Sequence, residues 1–399
     1  MPLSLSRSIR YWRLVHHWTL RDLASRCDFS HTHAAALERG TQPSHRHLNQ
    51  LETSFGVSLK SDEVLKLQLE LFENQATQII LLHQQEQAEQ LEPKLKALAP
   101  LYLASAYAFD YQFLVTMLHV LISSKPWVST ADEMRVFNAV SPLFKPTQTL
   151  LHRLAQAAYE VKESRLAVAV GILVNALEQE DLGQFKGVYH QYLANIYQGT
   201  FYRKLSAKQY KEARVHYEQT HNYYRLRAAH LRSRILDLID RTHPDLNEVN
   251  AIKKEALTYG FTDIHRSVSL VLAQNSIQHH RYQDVFEQLE AYVSNSQEAS
   301  FIQASAYAFL GEHHTVKELY ASIKSWQMHP LYRFGFEALL HPDNESTLKQ
   351  FYNQTTLGLN AFENGIGYRL LKDYYERHRR YKDLLALTLD TIQRMQTSV

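Results

Sequence analysis

Three neighbouring side chains, His31, Thr32 and His33, carry ring nitrogens and a hydroxyl that can donate or accept hydrogen bonds. They belong to the stretch WTLRDLASRCDFSHTHAAALERG (18–40), which reads as two short helices joined by a tight turn. Leu20, Leu23 and Ala24 form an apolar patch at helical spacing, and Cys27-Asp28-Phe29 interrupts it. Ser30 is placed to cap a second helix, which ends before Gly40. With Phe29, Ala34 and Leu37 turned back onto the first helix, His31, Thr32, His33 and Ala36 face outward. That is the layout of a helix-turn-helix, whose second helix enters the major groove of DNA.

The other residues able to do chemistry form no catalytic pattern. The adjacent pairs His16-His17, His279-His280 and His313-His314 lack ligand spacing such as HExxH, so no metal is expected. Gly365-Ile366-Gly367 is a lone GxG that does not follow a strand, and there is no P-loop or nucleophile elbow. Nothing supports an enzyme, and no cofactor is implied. Cys27 is the only cysteine, so no internal disulfide can form; this fits a reducing cytoplasm, with Cys27 a small buried residue of the turn. MPLSLSRSIRYWR has no apolar core of a signal peptide. The most apolar run, near Leu114 to Ile122, is too short to span a bilayer. A soluble cytoplasmic protein without a membrane partner is expected.

Composition indicates what positions these groups. Only 12 Gly and 10 Pro occur in 399 residues that are 45% hydrophobic, so an all-α protein is predicted. The net charge is +2, unevenly placed. Residues 1–60 hold eight Lys/Arg and four Asp/Glu, a head of +4 on a body of −2. A modestly basic head on a near-neutral body suits a small DNA-contacting domain carried by a sensor or scaffold.

In order, helix 1 is predicted over about Leu5–His16, with Ile9, Trp12 and Leu14 or Val15 inward and Arg10 and Arg13 outward. After the two-helix unit, Ser44 caps a helix reaching Phe55, with Leu48, Leu51 and Phe55 inward, and a fifth helix begins near Asp62. Residues 61–91 read as one long linker helix, on Leu65, Leu69, Phe72, Ala76, Ile79, Ile80 and His83. Pro93 and Pro100 punctuate, and an apolar helix follows around Tyr102–Ile122.

Farther along, the chain repeats itself. An apolar-x-x-apolar pattern recurs at Tyr210, Leu246, Tyr282, Val316, Leu348 and Tyr381, spaced by 36, 36, 34, 32 and 33 residues. A period near 34 residues with helical content marks stacked helix hairpins of the tetratricopeptide type, although Gly is missing from most copies. The first helices of such a solenoid line a concave groove. Counting back about 15, 12 and 8 residues from each marker gives Asn195, Gln198 and Tyr202, then Arg234, then Gln274, with later copies offering Arg333, Arg369 and Asp373. This polar and aromatic set suits an extended peptide: Asn and Gln pair with backbone N–H and C=O, and arginines hold carboxylates. Most of the 23 body tyrosines are expected to be structural.

Two resemblances follow from these residues. Leu23-Ala24, Ser30, Leu37-Glu38-Arg39-Gly40 and Pro43-Ser44 resemble the Xre/Cro-type, λ-repressor-like DNA-binding family over about residues 5–60; Asp28 departs from the glycine usual in that turn. The resemblance implies base contacts from His31, Thr32, His33 and Ala36, and phosphate contacts from Arg13, Thr19, Arg39, Thr41 and Arg46. An Xre-type head (1–60), a linker helix (61–91) and a right-handed tetratricopeptide-like α-solenoid (92–399) together resemble the RRNPP group of Gram-positive quorum-sensing regulators (Rap, Rgg, NprR, PlcR, PrgX) and the phage arbitrium receptors. Tyr-Leu-Ala-Asn-Ile-Tyr (192–197) is like a helix that carries a peptide-binding Asn in those receptors. The resemblance implies a cytoplasmic homodimer that binds a double-stranded DNA operator and is controlled by a short signalling peptide in the groove. Two alternatives stand beside it: a ligand-independent Xre-type regulator whose repeats dimerise or bind a partner, and a protein-sequestering adaptor.

Overall fold

The computed structural model describes residues 3–59, 62–122, 131–163, 165–198, 202–239, 241, 244–324, 328–357 and 361–397. Among them are 22 α-helices and no strand, as the composition predicts. Two compact units form: residues up to 160 together with 171–185, and 161–170 together with residues from 186 onward. The division lies near residue 160, not near 60 or 91, because the helix-turn-helix is built into a larger helical unit; residues 60 and 61 themselves lie outside the described residues.

The first unit opens with α1 (Leu3–Val15), α2 (Leu20–Arg26), α3 (His31–Glu38) and α4 (His45–Phe55). Ile9, Leu23, Ala34, Leu37 and Leu51 are fully buried in one core with Cys27 and Phe55. Burying each of the larger aliphatic side chains stabilises by about 1.5–3 kcal/mol. Trp12 and Leu48 pack against that core, while Val15 stays exposed. Cys27 is buried with its thiol against Ser54, and burial pushes the thiol pKa up, which fits a structural role.

The long helix expected over 61–91 is two helices, α5 (Glu63–Leu82) and α6 (Gln85–Leu103). His83 takes a left-handed conformation (φ 56°) and Gln84 N–H closes back on Ile79 C=O, so the chain reverses there. Pro93 and Pro100 do not punctuate but lie inside α6, where each forgoes one backbone hydrogen bond. The apolar helix is α7 (Ala108–Leu121), followed by α8 (Ala131–Val140) and α9 (Pro146–Lys162). α10 (Leu166–Gln179) has residues in both units.

Alpha-1 is anchored to α7. The Arg7 guanidinium donates to both carboxylate oxygens of Asp110 at 2.9 and 3.0 Å, and the Ser8 hydroxyl donates to Ala106 C=O at 2.6 Å. Ala106 also joins the helix-turn-helix core. The head is therefore no bead on a linker.

The second unit runs α11 (Lys186–Gln198), α12 (Arg203–Gln219), α13 (Tyr223–Ile239), α14 (Leu246–Thr258), α15 (Thr262–Gln278), α16 (Tyr282–Leu289), α17 (Gln297–Phe309), α18 (His313–Ile323), α19 (Pro330–Leu340), α20 (Glu345–Leu357), α21 (Ala361–Arg377) and α22 (Tyr381–Thr397). Leu246, Tyr282 and Tyr381 open α14, α16 and α22, whereas Tyr210 lies well inside α12. The odd-numbered helices from α13 to α21 touch their counterparts in the next hairpin, so they form the inner layer.

One turn recurs where an inner helix hands over to its partner. His280, Gly311 and Arg379 all have positive φ (62°, 84°, 55°). In each case the following N–H reaches back five residues in the same way: Arg281 to Ser276, Glu312 to Tyr307 and Arg380 to Tyr375, at 2.8–2.9 Å. This is a Schellman closure that normally prefers glycine. The missing repeat glycines are thus replaced by residues held left-handed, a conformation that costs about 1–2 kcal/mol for a non-glycine residue.

Candidate functional sites

In the first unit, both helices of the motif are capped at their N-termini. Ser30 caps α3 by accepting from His33 N–H at 3.1 Å. Thr19 and Asp22 form a capping box on α2, and the Thr19 hydrogen bonds hold the Asp22 carboxyl pKa below its usual range. Asp28, where the resembling family usually has glycine, takes a left-handed conformation (φ 51°) in the turn.

His31 and Thr32 are exposed at the free N-terminus of α3, where backbone N–H groups and the helix dipole favour an anion. Arg39, Thr41 and Arg46 are also exposed, and Thr19 is exposed beside its capping bond. Arg46 lies 3.6 Å from Asp28, an exposed pair worth little. Ala36 is half-buried. His33 is half-buried too; its Nε2 is 2.9 Å from Nδ1 of His47 on α4, and both rings pack on Phe29. Desolvation, then the neighbouring His33 and Arg46, lower the His47 pKa.

Arg13 does not face outward. Its guanidinium is buried against the Glu38 carboxylate and donates to Trp18 C=O at 2.8 Å. Arg10, also expected to face outward, is partly covered and 3.7 Å from the same carboxylate. Arg13 is thereby committed to holding α1 on α3 and is withdrawn from the phosphate contacts. The sequence signal was available: Glu38 follows Ala34 and Leu37 at i+4 and i+1, on the inward face of α3, so a cation had to meet it.

In the second unit, Asn195 and Gln198 of α11 converge on one phenol. Tyr210 Oη lies 2.6 Å from Asn195 Oδ1 and 2.8 Å from Gln198 Oε1. Burial pushes the Tyr210 pKa up to about 12, so the hydroxyl keeps its proton. Arg232 of α13 hydrogen-bonds the same phenol and pairs with Asp263 of α15. Asn195 is exposed and its amide nitrogen has no partner among the described residues, so it can donate to a peptide carbonyl. The half-buried ring of Tyr202 packs edge-on against Tyr197 at 5.9 Å.

Arg234 lies elsewhere. It is taken up by Glu255 at 3.4 Å and Glu248 at 4.0 Å, both on α14. The arginine of α13 that reaches the cluster is Arg232. The offset misplaced it because Leu246 opens its helix while Tyr210 sits within α12, so the same count lands on another face. Arg333 is likewise exposed over the Phe334 ring; its neighbour Tyr332 packs on Phe301 instead.

Farther along the inner layer, Gln274 donates to Glu298 of α17 at 3.4 Å. Glu298, Glu363 of α21 and Tyr332 of α19 sense one another electrostatically. Glu363 is buried, and desolvation followed by the Glu298 charge raises its pKa to about 7. None of these acids figured in the sequence reading, since they arrive from helices 65 residues apart. Arg369 and Asp373, by contrast, do come together, on one face of α21 and at the edge of two cavities of about 470 and 440 Å³.

No family model matches the chain, and no curated protein matches it. A solved structure does, that of a Rap protein complexed with competence and sporulation factor. The chain is similar to it in fold. The two superpose with a TM-score of 0.64 at 12% identity, over 83% of this chain and 99% of that one. At that identity the likeness is one of architecture: a helical, tetratricopeptide-like solenoid. Roles of individual residues rest on the geometry above.

Proposed function

We propose that this protein is a DNA-binding regulator whose operator affinity is set by a short peptide held on the inner helices of its repeats. The observation that carries the proposal is the presence in one chain of two features. One is a capped helix-turn-helix with His31 and Thr32 exposed at its tip. The other is a repeat body in which Asn195 and Gln198 of α11, Tyr210 of α12 and Arg232 of α13 form one polar cluster. The Rap protein of like fold was solved with a signalling factor bound, which supports a peptide as the ligand class.

In this reading α3 enters the major groove, with His31 and Thr32 on base edges and Arg39, Thr41 and Arg46 on phosphates. A head of +4 neutralises few phosphates, so two heads in a homodimer share the operator. Peptide binding favours one solenoid curvature over another and so changes the spacing of the two heads.

The test is selection of genomic DNA fragments by the full-length protein, followed by anisotropy titration with and without a pool of secreted peptides. Expected are a discrete enriched sequence, a loss of about 10- to 100-fold in affinity for His31→Ala/Thr32→Ala, and a peptide response that Asn195→Ala abolishes without changing basal binding. Enrichment of no sequence over bulk DNA, with peptide binding intact, refutes the DNA-binding half and leaves a peptide-controlled adaptor.

A further inference from the structure

Arg369 is a cation set against two aromatic rings. Its guanidinium carbon lies 3.9 Å from the ring centre of Phe309, at the end of α17, and 5.7 Å from that of Tyr282, at the start of α16. Contact with these rings holds the guanidinium at the edge of a cavity that Arg369 helps to line. Among the described residues Arg369 makes no hydrogen bond or ion pair. Asp373, one turn along, feels its charge but is not bonded to it. Lys372, the other cation here, is already 3.8 Å from Glu376.

The space that Arg369 borders is of ligand size. The cavity of about 470 Å³ is walled by Ile277 of α15, Phe309 of α17, and Phe362 and Ile366 of α21. Pockets for small ligands span about 300–1,000 Å³, mostly apolar with a few placed polar groups. An edge-on guanidinium matches a carboxylate bidentately, and a stacked one loses little further freedom on binding. The apolar wall beside it calls for a hydrocarbon side chain within a few bonds of that carboxylate.

We propose that the α15–α17–α21 pocket is a subsite for a peptide carboxylate, held by the two-pronged edge of Arg369, with an adjacent apolar side chain seated on Ile277, Phe362 and Ile366. Asp373 accepts the peptide N–H next to that carboxylate. This rests on the reading of the second unit as a peptide receptor and adds which group of the peptide is recognised, and where.

Three hexapeptide pools separate the sources of the carboxylate: random residues ending in leucine with a free C-terminus, the same pool amidated, and an amidated pool with glutamate before the final leucine. Each is titrated into the full-length protein, with thermal shift and calorimetry as readouts. Stabilisation by the first pool alone assigns the terminal carboxylate; stabilisation by the third but not the second assigns a side-chain carboxylate, and both support the subsite. Arg369→Gln is expected to weaken the active pool by about 10- to 100-fold, the scale of losing hydrogen bonds to a charged group, and Arg369→Lys by less. Equal stabilisation by all three pools, or an unchanged affinity in both Arg369 variants with unaltered melting of the free protein, overturns the subsite and leaves the peptide reading standing. Silence from every pool with the wild-type chain overturns both.

Discussion

Removing the Asp110 carboxylate should loosen the helix-turn-helix from the helix that supports it. Arg7 and Asp110 side chains are 1% and 2% exposed, so neither charge is screened by water. Asp110 takes two hydrogen bonds from Arg7 and a third from the Gln148 amide at 2.9 Å. In Asp110→Ala, Arg7 keeps only two neutral acceptors, Leu143 C=O at 3.0 Å and the Ser4 hydroxyl at 3.2 Å. Breaking a buried pair by deleting one partner costs about 3–5 kcal/mol, because the surviving charge stays in a poorly solvating site. Against a domain stability of about 5–15 kcal/mol this is a large fraction. Replacing both charges by apolar residues of similar size is often nearly neutral, so Arg7→Met/Asp110→Leu should recover most of the loss. Bulk melting mixes the two units, so hydrogen exchange of α1 and α7 amides under increasing urea is the suitable assay. A loss below about 1 kcal/mol in Asp110→Ala, or a double variant as unstable as the single one, would refute the reasoning.

Two further outcomes follow from other parts of the chain. Burial raises Glu363 to about 7, so its protonated form is the one the fold favours. The associated stability is complete below the ordinary glutamate value of 4.5 and is lost as pH rises through about 7. The change amounts to about 3 kcal/mol; amide exchange in α17–α21 measured from pH 4.5 to 7.5 should show it, and Glu363→Gln should flatten the profile. Asp28 holds φ 51° without being glycine, so Asp28→Gly should stabilise the helix-turn-helix by about 0.5–1 kcal/mol in urea titration. A destabilisation larger than that would show that the exposed Arg46 contact matters more than the backbone.

Much of the architecture was legible in local pattern. Ser30, Leu23, Ala34, Leu37 and Leu51 act at short range: a cap needs its own helix, and an apolar stripe needs only a regular period. The period near 34 residues survived the loss of its glycines because His280 and Arg379 make the same closure that Gly311 makes. The long helix over 61–91 failed for the same reason in reverse, since His83 turns the chain left-handed with no glycine to announce it.

Individual sites were less legible. Asn195 and Gln198 meet at one partner because both lie on one helix, one turn apart, facing the Tyr210 that marks the repeat. Arg13 and Arg234 were misjudged because their partners come from other helices: Glu38 lies 25 residues away and Glu255 lies 21 away. A helical wheel says which residues share a face, not what that face will meet.

The amino-acid sequence alone thus determined the helical class, the capped short helices α2 and α3 and the repeat, all of which follow from contacts within a few turns of chain. Tertiary structure decided which charges are paired within the fold and which are not. Arg7, Arg13 and Arg234 are neutralised by carboxylates on other helices, whereas Arg369 sits over an aromatic ring with no ion pair among the described residues. The physical reason is that an arginine's role depends on the nearest anion and on how much water it retains, and both are properties of packed helices rather than of sequence spacing.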